Sequence, residues 1–98
     1  LLTRALAIKE KLLGTEHLEV ALALSNLAAL AMAQGEASQA SMLLARALAV
    51  REKQLGVDHP DVAKTLVDYA AALRKIGRSA EADALETRAD EIRAKAKS

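Results

Sequence analysis

The chain repeats itself. Gly14, His17, Gly35 and Ala40 recur as Gly56, His59, Gly77 and Ala82, each 42 residues further on. The stretch "KEKLLGTEHLEVALAL" returns as "REKQLGVDHPDVAKTL", and Leu1, Arg4, Ala5, Leu6, Ala7 and Glu10 return as Leu43, Arg46, Ala47, Leu48, Ala49 and Glu52. Arg4, Ala5 and Ile8 come back a second time as Arg88, Ala89 and Ile92. A fixed period of about 20 to 50 residues marks an array of stacked units, each packed mainly on its neighbours. One unit cannot bury its own apolar face, so the period constrains the fold more than any single motif does.

The punctuation within a period defines two helices. The stretch 18–34 holds neither Gly nor Pro and sets Val20, Leu24, Leu27, Ala28 and Ala31 at helical spacing, after which Gly35 ends it. A second helix is expected over 38–55, with Met42, Leu43, Ala47 and Val50 facing inward and Gly56 closing it. The following "VDHP" starts a third. Pro60 has no N–H to waste in the first turn, Asp58 or His59 can accept from the free amides, and Asp61 stands at the positive end of the helix dipole. That helix is expected over 60–76 and a fourth over 79–96. Residues 1–13 read as the second helix of a unit whose first is missing. The expectation is an all-α superhelix of two and a half helix-turn-helix repeats and five helices: 1–13 a truncated repeat, 18–55 the first full repeat and 60–97 the second. Such a chain reads as a piece of a longer protein with further repeats upstream. Composition agrees, because 52% of the residues are hydrophobic and only Tyr69 is aromatic. Ala, Leu, Val and Ile must then fill the interior, which suits close-packed helices better than strands.

These residues resemble a tetratricopeptide repeat. In "LSNLAALAMAQGEASQASMLLARALAVREKQLG", Leu24, Leu27, Ala28, Gly35, Ala40, Ala47 and Leu48 stand on the characteristic positions. The long period and "GVDHPDVA" from Gly56 to Ala63 are similar to the repeat of the kinesin light chain type. Ala31, Ala37, Leu44 and Glu86 replace aromatic residues of the common pattern, and Leu18 stands where its proline would be. The resemblance implies a right-handed α-solenoid whose first helices line a concave groove that binds an extended or helical peptide. Its expected role is a protein-interaction scaffold; the alternative is a structural segment that oligomerises by stacking.

Helix geometry places two stripes on the helix over 60–76. Val62, Leu66, Tyr69, Ala70, Leu73 and Ile76 form the packing stripe, and Lys64, Val67, Asp68, Ala71, Arg74 and Lys75 fall on another face. The matching positions one period earlier are Leu22, Ser25, Asn26, Ala29, Met32 and Ala33, far less polar. A helix apolar nearly all round is normally covered on all sides. The candidate peptide surface is therefore Leu22, Ser25, Asn26, Ala29 and Met32 with Lys64, Val67, Asp68, Ala71, Arg74 and Lys75. A trough of Leu22, Ala29 and Met32 beside a ledge of Lys64, Arg74 and Lys75 suits a partner with apolar anchors and an acidic group.

Other chemistries find little support. His17 and His59 occupy equivalent turns, on the order of 20 Å apart by helix packing, and are expected to cap helices rather than share a metal. Acidic pairs such as Asp58 with Asp61 or Asp90 with Glu91 sit at helix ends or on solvated faces without a second chemical group. The four glycines stand singly and form no phosphate loop. No catalytic residue, metal site or cofactor is expected. Fourteen basic and thirteen acidic residues, scattered, give no electrostatic call for nucleic acid or a membrane surface. There is no cysteine, no leader pattern and no apolar run near the roughly 18 residues of a membrane span, so an intracellular setting is expected. At the two ends the expectations diverge. Glu86 and Asp90 replace Leu44 and Leu48, as at the end of a stack. Leu1, Leu2, Leu6, Leu12 and Leu13 have no preceding helix to cover them and are expected to meet upstream repeats or to mediate self-association through residues 1–13.

Overall fold

A computed structural model describes Lys11 and residues 17–97 of the chain. Four helices follow one another in the described residues: α1 (Leu18–Ala33), α2 (Ala37–Leu55), α3 (Pro60–Lys75) and α4 (Ser79–Lys97). The described fold is thus all-α with four helices rather than five. Of the fifth expected helix, over 1–13, only Lys11, which is helical, is among the described residues; the rest lies outside them, as do Gly14 and the N-terminal leucines.

The helix starts are copies of one another. His17 and His59 are the N-caps of α1 and α3, with nearly the same extended backbone, φ −83° and ψ 145° against φ −74° and ψ 142°. Each imidazole Nδ1 accepts from the amide two residues on, Glu19 or Asp61, at 3.0 Å. The carbonyls of both histidines accept from the third and fourth following amides at 2.9 and 3.2 Å. Leu18 replaces Pro60 without moving the start, since a first-turn N–H has no helical partner in either case. The cap is therefore the histidine, while Asp58 pairs across to Lys95 at 3.2 Å.

The ends of α1 and α3 also match. The amides of Glu36 and Arg78 each reach back five residues, to the carbonyls of Ala31 and Leu73, at 2.8 Å, around Gly35 and Gly77 in the left-handed region. Gly56 is a different case. At φ 91° and ψ 159° it occupies a region essentially restricted to glycine, and this lets α2 turn directly into the histidine cap of α3.

Packing is between sequence neighbours, α1 on α2, α2 on α3 and α3 on α4. Val20, Ala21, Ala23 and Leu24 of α1 meet Ala47 and Val50 of α2. Leu48 of α2 joins Val62, Ala63 and Leu66 of α3 and Ala89 and Ile92 of α4, and so ties one repeat to the next. Ala28 and Ala31, Ala40 and Leu44, and Ala72 form a three-helix cluster. Alanine at these contacts lets the helices approach closely, and fully buried Leu24, Leu66, Leu73 and Ile92 fill the spaces between. Of the residues expected to face inward on α2, Ala47 and Val50 are buried and Leu43 is half-buried, but Met42 is 68% exposed. The buried face of α2 runs instead through Ala40, Ser41, Leu44, Ala47 and Leu48, so that Met42 points away from both neighbours.

Polar links reinforce the junction between the repeats. Arg51 on α2 donates to the Thr65 hydroxyl at 2.6 Å, and Thr65 donates to the carbonyl of Asp61 at 2.9 Å. Glu52 on α2 pairs with Arg88 on α4. With Asp58 to Lys95, three links connect α2 or its following turn to the second repeat.

Candidate functional site

A groove of about 280 Å³ opens between the two repeats, walled by Ser25, Ala28, Ala29 and Met32 of α1, Asp68 and Ala71 of α3 and Leu44 of α2. Its position follows from the helix periods. Ser25, Ala29 and Met32 share one edge of α1, and Asp68 and Ala71 lie on the facing side of α3. Small side chains at Ala28, Ala29 and Ala71 keep the space open. Leu44 and the half-buried Met32 give the groove an apolar floor. Two polar groups stand on its walls. The Ser25 hydroxyl oxygen is buried and has no hydrogen-bond partner, and the exposed Asp68 carboxylate makes no ion pair among the described residues.

Five of the sequence-derived surface residues come together here: Ser25, Ala29, Met32, Asp68 and Ala71. The others lie elsewhere. Leu22 (50% exposed) and Asn26 are solvent-facing positions of α1 outside the groove lining. Lys64 and Lys75 are exposed on α3, also outside that lining, and Val67 is half-buried against the core shared by α2, α3 and α4. Arg74 is turned toward α4, where it pairs with Asp83 at 2.7 Å and with Glu86. The basic ledge of Lys64, Arg74 and Lys75 thus loses its guanidinium to an internal ion pair. Ala28 and Leu44 line the groove but read in the sequence as packing positions only.

Among the described residues, no cluster of His, Asp and Glu side chains is placed to hold a metal, and no helix is long and apolar enough to cross a membrane. The tetratricopeptide repeat model matches residues 1–53 and again residues 19–95, so that two overlapping matches span almost the whole chain. The chain belongs to the tetratricopeptide repeat family. Such repeats mediate protein–protein interaction and typically serve as non-enzymatic scaffolds. Among solved structures it is similar to BtubC (BKLC) from P. vanneervenii, with 28% identity and a TM-score of 0.91 over 98% of this chain. The chain spans 39% of the length of that protein. No curated protein sequence is significantly similar to it.

The tetratricopeptide period also explains the edge of α3 that faces away from the groove. Forty-two residues after Ser25, Met32 and Leu44 stand Val67, Arg74 and Glu86. Where the first repeat makes an apolar wall of Met32 on Leu44, the second makes an ion pair of Arg74 with Glu86, flanked by Asp83. Leu48, buried in the inter-repeat core, is matched by exposed Asp90. The same backbone positions thus carry an apolar surface in one repeat and a charged, internally paired one in the next.

Proposed function

We propose that the repeats 18–55 and 60–97 act as one binding unit that seats a peptide segment in the groove between α1 and α3. An apolar side chain of that segment would rest on Met32 and Leu44. The observation that carries the reading is the Ser25 hydroxyl, buried on the groove wall without a hydrogen-bond partner. A buried unpaired hydroxyl costs about 1 to 3 kcal/mol in the free protein, and a peptide N–H or C=O would satisfy it. Apolar contact supplies most of the affinity of such a groove, and the backbone bond sets the register.

The reading has a two-sided test. Ser25→Ala removes the unpaired group, so the free protein should become more stable by about 1 kcal/mol in urea denaturation. The same change should weaken peptides selected from a random display library on the wild-type chain. Ala29→Arg should abolish their binding by filling the groove. Peptides that bind Ala29→Arg and the wild type alike would place the interaction on another surface. The expected self-association through residues 1–13 makes the competing assignment, and exposed Leu18, Leu22 and Leu30 on α1 favour it as a contact with further protein. Concentration-dependent mass in sedimentation, unaffected by Ala29→Arg, is its signature.

A further inference from the structure

We infer that this groove selects segments in which a lysine or arginine sits beside the seated apolar side chain, an inference that rests on the groove being the binding surface. Asp68 is the one charged residue among those that line it, and no described cation neutralises it. The three cations that sequence position would aim at a ligand are placed otherwise. Arg74 is held by Asp83 and Glu86 on α4, and Lys64 and Lys75 lie on α3 outside the groove lining. A segment lying in the groove therefore meets a negative wall beside an apolar floor.

The second polar group does not oppose this. Ser25 Oγ, buried and without a partner, can accept from an N–H or donate to a carbonyl, whereas the Asp68 carboxylate can only accept. The charge selection of the groove thus rests on Asp68, and Ser25 is compatible with it. A carboxylate at the same place would face Asp68 as a like charge while losing water, and such a juxtaposition is how a binding site rejects a class of ligand. The partner chemistry is an apolar anchor flanked by a cationic donor, the reverse of the acidic group that the sequence positions of Lys64, Arg74 and Lys75 suggest.

The test uses two sets of octapeptides with blocked ends, each with a central leucine or methionine, one set flanked by Lys or Arg and the other by Asp or Glu. Fluorescence anisotropy is measured on the wild type, Asp68→Asn and Met32→Glu at low and moderate salt, with circular dichroism to verify that each variant is folded. The cation-flanked set should bind the wild type about three- to fivefold more tightly at low salt, as befits one exposed ion pair, with the margin shrinking as salt is added. Asp68→Asn should erase the difference and leave the apolar contribution, and Met32→Glu should weaken both sets. Equal affinities on the wild type, or tighter binding of the acid-flanked set, overturn the charge preference alone. Binding that survives Met32→Glu, or no binding by either set, overturns the groove itself and the preference with it.

Discussion

The first repeat (α1 and α2) and the second (α3 and α4) share a backbone plan and differ in what they show to solvent. His17 and His59 cap with the same bonds at the same distances, and Leu24 and Leu66, 42 residues apart, are both fully buried. Yet Met32 and Leu44 make a groove wall, whereas Arg74 and Glu86 make an ion pair. Few positions carry the fold: caps, helix-ending glycines, close-contact alanines and fully buried leucines. The remaining positions are free to be apolar where another surface must meet them and charged where water does. The nearly all-round apolar character of α1 and the two-sided character of α3 are two settings of one scaffold.

The comparison can be broken first at the core. Leu24→Ala and Leu66→Ala remove equivalent, fully buried side chains, and each should cost about 2 to 5 kcal/mol in urea denaturation. If the repeats are equivalent scaffolds, the two losses agree to within about 1 kcal/mol; a much smaller loss at Leu24 would mean that the first repeat is loosely packed. Next come the caps. His17→Ala and His59→Ala should each cost about 1 kcal/mol, and His59→Asp, which restores an oxygen acceptor at the helix N-terminus, should recover most of it. The smallest effect on stability, and the sharpest test of the contrast, is the double change Arg74→Met with Glu86→Leu. It installs first-repeat chemistry on the second repeat and forfeits exposed ion pairs worth about 0 to 1 kcal/mol. The melting temperature should barely move, while the new apolar edge should raise the mass seen in sedimentation at high concentration.

The sequence made the helix boundaries legible to within a residue at either end, because Gly35, Gly56 and Gly77 and the two histidine turns are local signals that need no tertiary partner. Met42 was misread for the opposite reason. α2 packs against both α1 and α3, and which of its faces is left over depends on the angle between them rather than on its own pattern. Arg74 is a similar case. Its exposure follows from helix spacing, but its partners Asp83 and Glu86 lie nine and twelve residues downstream on the antiparallel helix. The internal repeat held the clue, since Met32 and Leu44, which share one cluster, are replaced together by Arg74 and Glu86. The groove was half legible. Five of its residues were on the predicted stripes, but its walls join opposite edges of α1 and α3, a relation fixed only by how one repeat is set against the next.

That setting is held unevenly. Between α2 with its following turn and the second repeat, the junction carries three directional polar links, Arg51 to Thr65, Glu52 to Arg88 and Asp58 to Lys95. On the groove side the facing walls of α1 and α3 offer an apolar surface with a gap of about 280 Å³ between them. Hydrogen bonds and ion pairs fix direction as well as distance, so the polar links define how one repeat is turned against the next, while the groove side is set by packing alone. A turn of one repeat about these links would therefore appear as a change in the width of the groove.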